Sequence, residues 1–135
     1  MMNKTSILFT LLFALLYNVD VFGQNHLNLQ EIYLKREDQN ISVKALDHDS
    51  LASTFIISVK NQVRTHKHEH HTEVVIVLEG TGTMTLESDT FSIKKDDYIF
   101  IPQRTIHSVK VRGGEPLKVI SIQSPFFEGK DRVFN

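Results

Sequence analysis

The sequence predicts an all-β fold, either a sandwich or a barrel. From Thr54 onward, apolar and polar residues alternate with a period of two, as in the segment from Thr54 to Val59. Such alternation is typical of half-buried strands. Turn residues interrupt the pattern about every 8–12 residues, which is the turn spacing of sandwiches and barrels. Beyond the N-terminal segment, no long stretch shows the helical period.

The strands follow one another between turn clusters. Ile41 to Leu46 alternates and is predicted to be an edge strand, and Asp47 to Ser50 forms the turn after it. Pro102 ends the strand before it, because proline has no N–H to give to the ladder. Residues 24–40 carry only a weak pattern, and we assign them neither strand nor helix. The other predicted strands are residues 54–59, 63–68, 73–78, 83–86, 90–93, 98–101, 106–111 and 117–122.

Composition limits what the protein can be. A chain of 135 residues is short enough for a single domain. Its formal net charge of −1 gives no basic field that would favour nucleic acid as a partner. It has no cysteine, which excludes disulfides, thiolate metal sites and thiol catalysis.

The N-terminus carries the pattern of an export signal. Lys4 precedes an almost wholly apolar run from Ile7 to Tyr17, and Gly23 is a small residue suited to cleavage. A membrane anchor or a buried helix is the alternative, but the run is shorter than the roughly 20 residues an anchor needs, and Asp20 follows it. We therefore predict a signal peptide at residues 1–23 and an exported, periplasmic or extracellular protein that has no membrane partner after cleavage. The remaining chain divides into an N-terminal arm with its edge strand (24–50), a barrel (51–124) and a tail (125–135).

One stretch concentrates groups that bind metals. Residues 66–73 read His-Lys-His-Glu-His-His-Thr-Glu. In a strand, residues i and i+2 face the same side, so His66 and His68 point together. Glu73 opens the next strand after a polar bend, and we expect that neighbouring strand to bring its carboxylate back toward the two imidazoles. His107, which follows the turn after Pro102, is the fourth candidate ligand.

These side chains suit one divalent transition metal, and their chemistry does not choose among Mn, Fe, Co, Ni, Cu and Zn. Two further histidines, His70 and His71, lie in the bend and compete for the role of ligand. A solvated polar loop that binds metal adventitiously is the alternative interpretation of the histidine run.

The spacing of these residues resembles that of the cupin family. The family's first motif, G-x5-H-x-H-x3–4-E-x6-G, is matched in spacing by Lys60, His66, His68, Glu73 and Gly80. The resemblance spans about Leu51 to Ser124.

The second motif, G-x5-P-x-G-x2-H-x3-N, is matched in spacing by Asp96, Pro102, Arg104, His107 and Val111. Asp96 and Arg104, like Lys60 in the first motif, replace turn glycines, and Val111 replaces the asparagine. All four ligand positions are retained.

The resemblance implies a double-stranded β-helix of the jelly-roll type with a mononuclear metal site. It implies an enzyme that acts on a small oxygenated substrate (a sugar, uronate or carboxylate) by isomerisation, lyase or dioxygenase chemistry. A non-catalytic metal- or carbohydrate-binding module is the main alternative, and a structural jelly roll with a vestigial site is the third. By position, the candidate catalytic residues are Arg64, Tyr98 and Arg104. Family members often form homodimers through edge strands, and the tail residues Phe126, Phe127 and Phe134 are candidates for such a contact or for a lid.

Overall fold

The structure is a computed structural model that describes residues 26–34 and 39–134. It divides the chain into two units. The first unit ends at Glu31, and its described part contains one 3₁₀ turn, Leu29–Glu31. The second begins at Ile32 and contains all the strands that the structure describes. The predicted signal segment lies outside the described residues and stays a prediction. Among the described residues, no helix is long and apolar enough to cross a membrane.

Two five-stranded antiparallel sheets form the second unit. The first sheet has the order β1-β2-β9-β4-β7 and the second the order β10-β3-β8-β5-β6. This arrangement confirms the predicted all-β class and the jelly-roll barrel. The strands are β1 Ile41–His48, β2 Ser53–Val59, β3 Gln62–Lys67, β4 Thr72–Glu79, β5 Thr81–Leu86, β6 Asp89–Lys94, β7 Tyr98–Ile101, β8 His107–Arg112, β9 Leu117–Ser124 and β10 Val133–Phe134.

The alternating sequence pattern determines which side chains enter the barrel. In β7, Ile99 and Ile101 are buried whereas Tyr98 and Phe100 are exposed, as a period of two requires. Each fully buried aliphatic side chain of this kind stabilises the fold by about 1.5–3 kcal/mol. The core lies between the two sheets and is formed by Val59, Val77, Met84, Ile93, Ile99, Ile101, Leu117 and Val119.

The tail adds a strand that the sequence did not predict. Val133 and Phe134 pair with Lys67 and His66, so β10 covers the free edge of β3. Phe127, also in the tail, is buried. A two-residue strand has too few positions to show alternation, which is why the sequence pattern could not reveal it.

Two turns keep a left-handed backbone without glycine. Asp96 and Arg104, which replace turn glycines of the family motif, have φ values of 73° and 65°. This region costs an L-residue about 1–2 kcal/mol. Lys60, the third replacement, is not among the described residues with positive φ.

Gly80 lies where the chain leaves β4 in one sheet and enters β5 in the other. Its φ is +80°, and a Cβ added there would lie 2.4 Å from the carbonyl oxygen of Pro116 and 2.9 Å from Cα of Leu117. Both contacts are with backbone, so a side chain can be accommodated only by moving the start of β9.

We expect Gly80→Ala to lower the free energy of unfolding by about 2–4 kcal/mol, because strain from positive φ adds to the clash with Pro116. Urea unfolding of the purified protein measures the loss. The matched control is Gly114→Ala, since a Cβ at Gly114 meets nothing within 4 Å. Equal unfolding midpoints for the two variants would contradict this account of the β4–β5 crossing.

Candidate metal centre

Three of the four predicted ligands come together on one sheet. His66 in β3 and His107 at the start of β8 are register partners, so their side chains lie on the same face. His68 directly follows β3. The ligand nitrogens of the three histidines all lie within 4.8 Å of one another, and all three side chains are buried.

Glu73 approaches the three histidines from the opposite sheet. We expected it on a strand beside that of His66, and this was wrong: β4 belongs to the first sheet and β3 to the second. Its Oε2 atom lies 3.4 Å from Nε2 of His68 and 3.5 Å from Nε2 of His107. The hydroxyl of Ser121 donates to the other carboxylate oxygen, Oε1, at 2.5 Å. The carboxylate is thereby held with Oε2 toward the imidazoles.

Backbone carbonyls orient all three imidazoles. Nδ1 of each ring lies within hydrogen-bond distance of one: Arg64 O for His66 (2.8 Å), Thr105 O for His107 (2.9 Å) and Asp131 O for His68 (2.5 Å). A carbonyl oxygen only accepts, so each Nδ1 carries a proton, and in a neutral ring Nε2 then keeps its lone pair.

The Nε2 atoms of His68 and His107 are buried and have no hydrogen-bond partner among the described residues. A buried acceptor left unpaired is costly. A cation bound between these two Nε2 atoms and the Glu73 carboxylate would explain why both acceptors face one carboxylate. Imidazole rings held through Nδ1 are also the usual orientation of metal-binding histidines. The donor set therefore fits a divalent transition metal.

The electrostatics of the site favour the forms of His66 and Glu73 that bind metal. Burial, together with repulsion from His107, lowers the pKa of His66 to about 4. Burial acts to raise the pKa of Glu73, but its contacts with His107, His68 and Ser121 outweigh burial and hold that pKa well below its usual range. A neutral His66 imidazole and a charged Glu73 carboxylate need not lose a proton before a cation binds.

The competing histidines of the bend have other roles. His70 is exposed. His71 is buried, and both of its ring nitrogens are engaged, Nδ1 with the Asp131 carboxylate at 2.5 Å and Nε2 with the carbonyl of Phe126 at 3.0 Å. Neither imidazole belongs to the cluster of three.

Asp131 connects the tail to this bend, and sequence analysis missed it. Its carboxylate accepts the backbone N–H of Glu69 at 3.1 Å and that of His70 at 2.8 Å, in addition to its contact with His71. Burial acts to raise the pKa of Asp131, but these contacts outweigh it and lower that pKa to about 2. No local sequence pattern identifies an acid whose hydrogen-bond partners lie about 60 positions earlier in the chain.

A cavity of about 260 Å³ opens from the three histidines and is walled mainly by aliphatic side chains. Of the candidate catalytic residues, Arg64 lines this cavity, and its guanidinium carbon lies 5.1 Å from the centre of the Phe134 ring. Two polar lining residues, Gln123 and Arg132, were missed by sequence analysis, because neither stands in a recognisable motif.

The other two catalytic candidates lie elsewhere. Tyr98 is 64% exposed on the outer face of β7, because alternation turns Ile99 and Ile101 inward. The side chain of Arg104 is 72% exposed and lies outside the cavity, with Nε 3.5 Å from Glu69 Oε2. Arg104 does support the site through its backbone, since its N–H donates to the carbonyl of His68 at 2.7 Å.

A jelly-roll barrel with a buried three-histidine cluster defines a class of small β-barrel proteins that could hold a metal ion. The comparison with known families names that class. Residues 54–123, just over half of the chain, match the cupin domain family, and the chain belongs to it.

Relatives and solved structures agree with this assignment. An uncharacterized protein of Methanocaldococcus jannaschii is 37% identical over 76 residues, which are 56% of this chain and 61% of that protein. This chain therefore spans less than two thirds of that relative. Mannose-1-phosphate guanylyltransferase RfbM of Salmonella typhimurium is 39% identical over 66 residues, 49% of this chain but 14% of that protein. The Streptomyces nucleoside dehydratase Pac13 shares the fold, with a TM-score of 0.61, 19% identity and coverage of 71% of this chain and 78% of that one.

The metal-free protein should lose stability as the pH falls. The unfolded chain protonates His66 near its ordinary pKa of 6.5, whereas the folded chain does so only near 4. Between these values the unfolded state binds more protons, so acid favours unfolding. We expect a loss of about 1–2 kcal/mol between about pH 7 and pH 5 after allowance for solvent screening, measured by urea unfolding.

His66→Gln should flatten this dependence, because glutamine does not titrate. An equally steep loss in His66→Gln would show that another group carries the pH dependence. Glu73 contributes in the same direction, but only at lower pH, because its pKa is depressed and its contribution is lost as its carboxylate protonates.

Asp131→Asn should weaken metal binding by about 10–100-fold, because the segment that presents a carbonyl to His68 loses its charged anchor. Competition with a chromogenic chelator measures this affinity. The matched control is Glu128→Gln, which removes a nearby exposed charge 3.6 Å from Lys130. Unchanged affinity in Asp131→Asn would show that the Asp131 carbonyl stays in place without its own side chain.

Proposed function

We propose that this cupin is a metal-dependent enzyme that acts on a small oxygenated substrate, a sugar, uronate or carboxylate, by isomerisation, lyase or dioxygenase chemistry. One observation carries the proposal. Two buried imidazole nitrogens without a partner among the described residues and one buried carboxylate face each other where a mainly apolar cavity meets them. A purely structural barrel has no need of such an arrangement, which is costly when it is left unpaired.

His66, His68, His107 and Glu73 would hold the metal. Bound there, a divalent cation supplies a Lewis acid for an oxygen-bearing substrate, or a redox centre if it is iron, manganese or copper. The chain itself contributes the orientation of the donors through three backbone carbonyls, and mainly aliphatic walls around the cavity. Because the four ligand side chains are buried, electrostatic interactions among them are stronger than in water.

The charges around the cavity support an anionic substrate. Arg64 and Arg132 both line it, and Glu73 is the one carboxylate among the described lining residues. Neither guanidinium forms an ion pair with a carboxylate in the described part of the chain; instead Arg64 lies over the ring of Phe134 and Arg132 over that of Phe127. Two guanidinium groups without a carboxylate partner among the described residues suit a carboxylate or phosphate group.

A non-catalytic binding module is the second candidate, and one observation favours it. Apart from the four candidate ligands, the ionisable residues described around the cavity are Arg64 and Arg132, neither of which acts as a general base. Catalysis would therefore depend on the metal and its ligands. The relatives agree with either function: RfbM and Pac13 are named as enzymes, but the likeness covers a small part of the first and shows only the fold of the second.

Elemental analysis of the purified protein should find one transition metal per chain. The double variant His66→Ala/His107→Ala should contain none, because it removes the register pair at the centre of the cluster. His70→Ala is the control, since His70 is exposed and outside the cluster. Circular dichroism of all three proteins checks that the variants are folded.

Absence of metal from the wild type, even after reconstitution with each of the six candidate cations, would contradict the enzyme proposal. If metal is present, its identity selects the assays: iron directs them to dioxygen, and manganese, nickel or zinc to isomerase and lyase reactions. Tight binding of a substrate without turnover would establish the binding module instead.

A further inference from the structure

The cavity that opens from the three histidines has aliphatic walls on both sides. Ile57, Val75 and Val119 line it from the first sheet, and Met84 and Val109 line it from the second. Ile57, Val75 and Val109 keep some accessible surface, although each lies on a strand with a neighbour on both sides. That surface faces the cavity, so a molecule bound in the cavity would contact it.

The cavity reaches the surface of the protein between the two sheets. Val43 on β1 and Phe134 on β10 line it, and these side chains are 50% and 52% exposed. Each of these strands is an edge of its sheet, so the mouth lies between two sheet edges. A ligand that enters there passes apolar side chains before it meets the walls.

The two cations described on the lining lie close to the metal centre. Each guanidinium group lies over a phenylalanine ring, and each ring contacts a ligand histidine, with ring centroids 5.9 Å apart in one case and 5.5 Å in the other. The metal centre and the cations thus form one polar end of the cavity. The two sets are Arg64 with Phe134 and His66, and Arg132 with Phe127 and His68.

Two further polar side chains of the lining do not serve the aliphatic part. Gln123 is the register partner of Glu73, so it belongs to the metal end, and it is 2% exposed. Ser108 directly follows His107, which points inward, so the period of the strand directs the Ser108 hydroxyl to the outer face.

The remaining polar side chains described on the lining lie at the β2–β3 turn. Asn40 Oδ1 accepts the backbone N–H groups of Asn61 and Gln62, and Asn40 Nδ2 donates to the carbonyl of Gln62. The side chain of Gln62 is exposed. The aliphatic middle of the cavity therefore offers few partners to a hydroxyl group, and a hydroxyl without a partner is costly to bury.

We propose that the cavity binds a carboxylic acid with an aliphatic body, and not a sugar or a uronate. The carboxylate lies at the metal centre beside the two guanidinium groups, and the hydrocarbon chain lies along the aliphatic walls. Each methylene removed from water there favours binding, whereas each hydroxyl placed there loses its hydrogen bonds to water. The inference rests on the proposed function and narrows its substrate class.

Hexanoate and gluconate are the probes, because gluconate is the same straight-chain acid with a hydroxyl on every carbon except that of the carboxylate. Both are titrated into isotope-labelled protein, metal-free and loaded with zinc, and amide chemical shifts report the affinity and the position of binding. Hexanoate should bind about tenfold or more tightly than gluconate to both forms, because the preference arises at the aliphatic walls. From butanoate to hexanoate, the affinity should rise about 3–4-fold with each methylene.

A variant of the wall tests the same contact from the side of the protein. Val75→Thr keeps the shape of the side chain, adds a hydroxyl to the wall and should weaken hexanoate binding about fivefold. Val74→Thr is the matched control, since Val74 is also half-buried but faces outward with its register partner Phe100, away from the cavity. It should bind hexanoate like the wild type, and melting temperatures check that both variants fold. The chain-length series needs no variant and decides the question if Val75→Thr does not fold.

Four results would overturn the inference. They are gluconate bound as tightly as hexanoate, an affinity that does not rise with chain length, shift changes confined to residues outside the cavity, and no binding of hexanoate to either form. Failure of the proposed function looks different: the protein then retains no zinc, while the metal-free protein still prefers hexanoate to gluconate.

Discussion

The convergence of three imidazoles and one carboxylate, supplied by two different sheets, is the constraint on which this structure depends. His66 and His107 meet because β3 and β8 are paired in register, and Glu73 meets them only if the two sheets are stacked in one position. A shift of one residue in either strand would turn its ligand out of the barrel. The register of the second sheet and the stacking of the sheets are thus linked at one buried point.

The surroundings of that point are arranged to keep it in one state. Carbonyls of Arg64, Thr105 and Asp131 fix the three rings, and Ser121 fixes Glu73. Two of these supports come from residues only two positions from the histidine, whereas the carbonyl of Asp131 reaches His68 from the tail. The site therefore combines local backbone geometry with a tail that has to be docked before the third ring is held.

The strands and the ligand positions could be predicted because their signals are local. Alternation identifies strands from a few neighbouring residues. The spacing of the four candidate ligands can be read directly from the sequence: they are His66, His68, Glu73 and His107. The sheet to which each strand belongs is a long-range property, which is why Glu73 was expected on the wrong sheet. The same reason explains why the contacts of Asp131 and the position of Gln123 on the cavity wall were missed. Tyr98 and Arg104 were chosen by their positions along the chain, which do not determine the direction of a side chain.

The short strand β10 has a consequence for the solution behaviour of the chain. β3 would otherwise be the edge of the second sheet, with its backbone N–H and C=O groups available to a strand from another molecule. Val133 and Phe134 occupy that edge over His66 and Lys67, directly beside the cavity. The tail thereby protects the barrel against edge-to-edge aggregation at the place where its ligands are. A proteolytic cut before Val133 would remove that protection, and self-association would then compete with binding at the same rim.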